Sequence, residues 1–239
     1  MSPRTLRTND NWLKSRFHFS FAEYNDPKRS NFGVLRVMND DLVQPARGFG
    51  THPHRDAEIV TYIVRGGLTH KDSMGTSETL GRGSIQFMTA GSGIRHSEHN
   101  LNPSDDLRFI QMWLTPRQRG LEPNYGSLVG GPQVDAARQG KWNHLVSDTR
   151  SDVDTPVQIN TDANMYVSQI GVKDALSIEI AAGRMAYCLC IEGGVDLTNE
   201  SDGREEGLVQ HDACQVQPGR LLITTTSEEA LVLLVEMSQ

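Results

Sequence analysis

Two short segments carry side chains whose type and spacing suit metal chemistry. Gly48-Phe49-Gly50-Thr51-His52-Pro53-His54 sets two histidines two residues apart, and Gly91-Ser92-Gly93-Ile94-Arg95-His96-Ser97-Glu98 sets a histidine and a glutamate at the same spacing. On a strand, residues i and i+2 face the same way about 6.6 Å apart, so each pair can turn two donor atoms toward one ion. Pro53 has no N–H to give to a ladder, which predicts a sheet edge, a bulge or a strand start. Three imidazoles with one carboxylate form a mixed N/O set that suits Fe(II), Mn, Ni, Cu or Zn and disfavours Ca or Mg. Glu58 competes with Glu98 for the fourth place, because it follows His54 by four residues and would share its face on a continuous strand.

The remaining histidines read differently. His99 points away from Glu98 and is expected at the surface, while His70, in His70-Lys71-Asp72-Ser73-Met74-Gly75, reads as a hairpin-loop residue. His18 lies among aromatics and is expected to pack as a hydrogen-bonded core histidine.

The elements that position these residues are short apolar alternations punctuated by glycine. Examples are Phe17-His18-Phe19-Ser20-Phe21, Ile59-Val60-Thr61-Tyr62-Ile63-Val64, Leu107 to Leu114, Leu176 to Ile180 and Ala230 to Val235. Many short strands at turn-marked spacing predict an all-β sandwich or barrel. Tyr62-Ile63-Val64-Arg65-Gly66-Gly67-Leu68-Thr69-His70 is echoed by Leu189-Cys190-Ile191-Glu192-Gly193-Gly194-Val195-Asp196-Leu197, which implies two copies of one β-domain. The stretch from Gly120 to Lys141, with Pro123, Gly126, Gly130, Gly131 and Pro132, has loop chemistry. The expected division is 1–130, a linker at 131–140, and 141–239.

Bulk properties narrow the partners. A net charge of −7 over 239 residues, with no basic stripe, argues against nucleic acid. No apolar run follows the first residues and none is long enough to span a bilayer, so neither a signal peptide nor a membrane segment is expected. Cys188, Cys190 and Cys214 read as buried structural thiols, which fits a reducing, cytoplasmic location. Aromatic residues make up 6%, and no ring-stacking platform stands out.

The two metal-type segments resemble the paired motifs of cupins, small double-stranded β-helix barrels of jelly-roll type. More narrowly, the chain resembles the pirin family across nearly its full length. The match is carried by Ser15-Arg16-Phe17-His18-Phe19-Ser20-Phe21, Gly48 to Arg55, Thr69 to Gly75, and Met88-Thr89-Ala90-Gly91-Ser92-Gly93-Ile94-Arg95-His96-Ser97-Glu98. The resemblance implies two tandem cupin domains with one metal in the first, held by His52, His54, His96 and Glu98, and so favours Glu98 over Glu58.

It also implies quercetin 2,3-dioxygenase-like chemistry on a small aromatic substrate and O2. There a flavonol 3-hydroxyl gives its proton to Glu98 as base, and the ring opens with loss of carbon monoxide. Fe(II) is the leading metal expectation, with Ni, Cu, Mn or Zn as alternatives. A second reading from the same resemblance is a metal-bound, redox-sensitive regulator that binds protein partners, and a third is a cupin isomerase with a redox-inert ion. Shifting by the 127 residues between Gly66 and Gly193 puts His52 and His54 on Glu179 and Ala181, and His96 and Glu98 near Ile223 and Thr225. The second domain is therefore expected to lack a metal site.

Elemental analysis of protein purified without chelator or affinity tag should return about one transition-metal ion per chain. Two equivalents in separate sites would contradict a single site in the first half.

Overall fold

Apolar alternation becomes strand wherever one face can be buried. The computed structural model describes residues 2–7, 11–172 and 174–239. The first strands are β1 (Arg4–Arg7), β2 (Leu13–Phe17), β3 (Leu35–Val43), β4 (Arg47–His54), β5 (Glu58–Arg65) and β6 (Leu68–Asp72). They are followed by β7 (Ser77–Leu80), β8 (Ile85–Thr89), β9 (Ile94–Asn100), β10 (Leu107–Leu114) and β11 (Asn124–Leu128). After helix α1 (Pro132–Arg138) come β12 (Asn143–Asp148), β13 (Val157–Ile159), β14 (Ala163–Gly171), β15 (Ala175–Ile180) and β16 (Arg184–Glu192). The last are β17 (Gly194–Asn199), β18 (Arg204–Val209), β19 (Ala213–Val216), β20 (Gly219–Thr225) and β21 (Glu229–Ser238).

The chain forms two compact units, Arg4–Pro132 with Pro156–Thr161, and Gln133–Thr155 with Asp162–Gln239. The stretch read as linker, 131–140, holds α1, and the loop-like region before it holds β11. The Phe17–Phe21 alternation is not one strand, because β2 ends at Phe17 and the chain turns away to bring Phe21 opposite Tyr24. His18 is buried, as expected of a core histidine.

Each unit is a pair of antiparallel sheets, the tandem cupin architecture expected from the sequence. In the first, the order β1-β2-β3-β10-β5-β8-β11 faces β4-β9-β6-β7. The second repeats the central pattern as β14-β21-β16-β19 and β15-β20-β17-β18. The echoed glycines close equivalent turns: Gly66 has φ +81° and Gly193 φ +78°, a conformation that glycine adopts without a Cβ penalty. A Cβ on Gly193 would lie 2.2 Å from the Glu229 carbonyl oxygen.

The interiors differ in chemistry. In the first unit the in-facing residues form layers. Val43, Ile63 and Phe109 belong to one apolar cluster, and Ile59, Met88 and Ile94 to another, with Trp113 packed against it. Between them, Asn39 pairs with Gln111, Gln111 with Thr61, and Thr61 with Gln86, a polar row across four strands.

In the second unit the cross-strand partners give a direct correspondence. His96 lies opposite His52 and Glu98 opposite His70, whereas Leu221 lies opposite Ile178 and Ile223 opposite Leu197. The uniform shift expected from the sequence is therefore corrected by one to two residues. The counterparts of the ligand-type residues are Ile178, Ile180, Leu221 and Ile223, which join a continuous aliphatic core with Leu197. Cys188, Cys190 and Cys214 form no disulfide among the described residues and are buried in that core. Burial pushes the Cys188 thiol up, so it stays protonated.

Gly193→Ala should destabilise the protein by roughly 1–3 kcal/mol, the cost of a strained backbone position. Gly81→Ala, where the nearest atom to an added Cβ is 4.0 Å away, should stay within about 0.5 kcal/mol of wild type. Denaturant midpoints of the two variants against wild type test the contrast.

Candidate metal centre

Strand β4 lies at the edge of its sheet, where the Pro53 lacking an N–H is tolerated. The register between β4 and β9 slips between Phe49 and His52, a bulge that spends one extra residue at Gly50-Thr51. Beyond the bulge, His52 and His54 turn to one face and meet His96 from β9. The ring centroids lie 4.7 Å apart for His52–His54, 4.6 Å for His52–His96 and 4.8 Å for His54–His96. One nitrogen from each of these three rings lies within 4.8 Å of the others.

Their protonation follows from their neighbours. The Gly50 carbonyl accepts from His52 Nδ1–H at 2.7 Å, which leaves the His52 Nε2 lone pair free to face His96 Nε2, 3.1 Å away. Burial lowers His54 to about 4, assisted by His52. Burial first, then His54, His52 and His70, lowers His96 to about 2, against a small opposing effect of Asp72. His96 Nδ1 is buried without a partner among the described residues. Neutral imidazoles whose lone pairs face a common point are what a divalent transition metal requires of its ligands, so the donor set fits such an ion.

Glu98 sits next to this cluster and is bound differently. Gln86 Nε2 donates to one carboxyl oxygen at 3.0 Å and Gln111 Nε2 to the other at 2.8 Å. Each amide is oriented from behind. Gln111 Oε1 accepts from Trp113 Nε1–H at 3.1 Å, and Gln86 Oε1 lies 2.9 Å from the Tyr125 hydroxyl, which also binds Glu78. Burial pushes the Glu98 carboxyl up to about 7, against the lowering effect of the Gln111 and Gln86 hydrogen bonds. Its oxygens converge with His96 and His70, whereas His52, His54 and His96 form the other group. His96 belongs to both.

Glu58 is held elsewhere. It accepts from Thr89 Oγ1 at 2.9 Å and Asn160 Nδ2 at 3.3 Å, and among the described residues it joins neither convergent group. The argument for a shared face fails because β4 and β5 lie in different sheets, with Asp56 at φ +52° between them.

His70 is not a loop residue. It lies on β6, fully buried, with Nε2 3.0 Å from Asp72 Oδ2 and its ring stacked on Tyr125 at 4.4 Å. That bond fixes the proton on Nε2 and leaves a buried, unpartnered Nδ1. His70-Lys71-Asp72 has the same i, i+2 spacing that singles out the other two segments, and that signal could have found it. His99 is half-buried rather than exposed.

The rings that seem too few in the composition are gathered in space. Trp12, Phe17, Phe21, Phe49 and Trp113 line a cavity of about 580 Å³ that also touches His52, His54, Glu98 and Gln111. Phe21 meets Trp113 edge-on at 5.3 Å, Trp113 meets His54 at 4.7 Å, and Trp12 meets Phe49 at 5.2 Å. A ring-stacking wall therefore stands beside the imidazoles.

Residues 1–114 match the family model for pirin, and residues 145–237 match that for the quercetinase C-terminal cupin domain. Quercetin 2,3-dioxygenase of Escherichia coli (strain K12) is 38% identical over 205 residues, 85% of each chain. The chain belongs to the pirin family. Two crystal structures extend the match to the fold of this pirin. YhhW from Escherichia coli has a TM-score of 0.85 at 31% identity, covering 98% of this pirin and 94% of that chain. Bacterial pirin YhhW in complex with nickel(II) has a TM-score of 0.76 at 29% identity, covering 99% and 95%.

The buried Glu98 yields a signed test in the metal-free protein. Its folded pKa near 7 exceeds the ordinary 4.5, so its contribution to stability is full below about 4.5 and is lost as pH rises through 7. A neutral amide loses nothing over that range. The stability of Glu98→Gln relative to wild type should therefore climb from pH 4.5 to 7 and level off above. Denaturant unfolding of both metal-free proteins across this range checks it, and a pH-independent gap would mean that Glu98 ionises as freely folded as unfolded.

Proposed function

We propose that this pirin is a metal-dependent dioxygenase that cleaves flavonol-type substrates with O2, in the manner of quercetin 2,3-dioxygenase. The observation that carries the reading is the convergence of His96 with His52 and His54, which line an aromatic cavity of about 580 Å³. A cavity of that volume suits a three-ring ligand. The curated relative from Escherichia coli bears the same activity in its name. A purely regulatory role would not need such a cavity.

His52, His54, His96 and Glu98 hold one divalent transition metal. Fe(II) leads for the dioxygenase, and the nickel(II) complex of the related YhhW supports nickel as well. When bound, the metal supplies Lewis acidity toward a hydroxyl oxygen and a redox-active centre for dioxygen chemistry. Glu98, held by Gln86 at one carboxyl oxygen and by Gln111 at the other, takes the proton of the substrate hydroxyl. Phe17, Phe21, Phe49, Trp12 and Trp113 stack on the planar substrate and keep water away from the ionised ring. The ring then opens with loss of carbon monoxide, both atoms of O2 having entered the products.

The N-terminal domain, 1–130, carries this chemistry, and 141–239 carries no metal. No helix of the described residues is long and apolar enough to cross a membrane. With three buried free thiols and a small aromatic substrate, we place the protein in the cytoplasm.

His52→Ala should empty the site, as read by elemental analysis. Glu98→Gln should keep the metal at weakened affinity and lose roughly 10²–10⁴-fold in flavonol turnover, the usual cost of a missing general base. Glu58→Gln should cost less, at most about 10–100-fold. Metal loss in Glu58→Gln with wild-type behaviour in Glu98→Gln would reverse the assignment of the carboxylate.

A further inference from the structure

The cavity has further polar lining that the proposed chemistry does not use. Ser15 and Asp41 lie opposite each other on β2 and β3, and Phe17 and Asn39 do the same one pleat along. All four line the cavity. Ser15, Asn39 and Asp41 are each at most 4% exposed, so they are polar groups withheld from bulk water among five aromatic rings.

Their hydrogen bonding is incomplete. The Ser15 hydroxyl donates to Asp41 Oδ1. Asn39 Oδ1 is buried and accepts no hydrogen bond among the described residues. A buried amide oxygen without a donor costs the desolvation of that group, so a ligand that brings an O–H to it recovers free energy. Asp41 adds a carboxyl beside it. Burial pushes this carboxyl up to about 7, with Asp40 and Glu98 adding to the effect and the Ser15 hydrogen bond and Arg16 opposing it. Near neutral pH such a group can donate or accept, as a phenol also can.

We propose that Asn39, Asp41 and Ser15 form a recognition subsite for a phenolic hydroxyl on a part of the aromatic substrate remote from the atoms held at the histidines. The phenol O–H donates to Asn39 Oδ1 while its oxygen or a neighbouring hydroxyl engages Asp41. These residues select among hydroxylated aromatics and take no part in the oxidation. The subsite rests on the reading of the cavity as an aromatic substrate site. It goes beyond that reading by stating which substitution pattern the protein prefers.

The strands support that role. Asn39 is the cross-strand neighbour of Gln111, which holds Glu98, so the subsite and the carboxylate are rigidly spaced along one ladder. A planar ligand bridging the two would be fixed in orientation as well as in depth. Donor and acceptor are both mounted on strands rather than loops, which favours discrimination.

The test is anaerobic equilibrium dialysis of quercetin and of 3-hydroxyflavone against the metal-loaded full chain. The second ligand keeps the 3-hydroxyl and 4-oxo group but lacks every other hydroxyl. Wild type should prefer quercetin by roughly ten- to a hundredfold, the discrimination expected when an unpaired buried group gains its partner. Asn39→Leu and Asp41→Asn should each shrink that ratio several-fold or more through weaker quercetin binding, with 3-hydroxyflavone affinity held within about twofold. Equal affinity of wild type for the two ligands overturns the subsite, and that arm needs no variant to fold. A preference that survives in both variants, confirmed folded by their melting curves, also overturns it. If wild type binds neither ligand, the aromatic-substrate reading itself fails and the subsite falls with it, an outcome distinct from binding without discrimination.

Discussion

Everything distinctive about the first domain depends on a band of polar side chains set inside a β-barrel that would otherwise be filled with hydrocarbon. Asn39, Thr61, Gln86 and Gln111 occupy interior positions on four neighbouring strands. Buried polar groups are costly unless paired, and Thr61, Gln86 and Gln111 are drawn into a chain of hydrogen bonds that leaves Asn39 Oδ1 outside it. Trp113 orients Gln111, Tyr125 approaches Gln86, and the two amides together receive Glu98. The carboxylate is thus preorganised by groups two contacts away from it. Its elevated pKa has the same origin, since two amide donors offset only part of the cost of removing it from water.

The imidazoles are fixed by a separate backbone device. The bulge at Gly50-Thr51 provides both the turn of His52 and His54 into the interior and the carbonyl that sets the His52 tautomer. The Asp72 carboxylate, two residues along β6, does the same for His70. His52 and His70 are therefore each held through the nitrogen turned away from the neighbouring ring, an arrangement typical of metal-ligating histidines. With sulfur absent from the described cluster, oxygen and nitrogen donors alone set its chemistry.

How much of this was legible in the sequence depended on whether a feature is local. His52-Pro53-His54 and His96-Ser97-Glu98 could be read because each pair is a two-residue pattern on one strand. The duplication showed in Gly66-Gly67 and Gly193-Gly194 because positive φ restricts such turns to glycine. His70 carried a local signal in its i, i+2 spacing to Asp72, but its place beside Glu98 comes from a strand pairing outside that pattern. Glu58 looked plausible because the change of sheet between β4 and β5 is a matter of tertiary geometry. The aromatic cavity was hidden most deeply. Its rings lie at positions 12, 17, 21, 49 and 113, and only the fold makes them neighbours.

The second domain repeats the central strand pattern of the first, and the places of the polar row are taken by Tyr166, Leu234, Cys188 and Cys214 in an apolar core. That exchange works as an evolutionary ratchet. Returning Ile223 to glutamate would strand a carboxylate in a dry core with Leu197 and Leu221 around it and no amide to receive it. Such an unpaired buried charge costs several kcal/mol, so no single reversion is neutral. Glutamines, histidines and carboxylate would have to be introduced together for any of them to be useful, so single substitutions leave this interior closed to metal-type side chains.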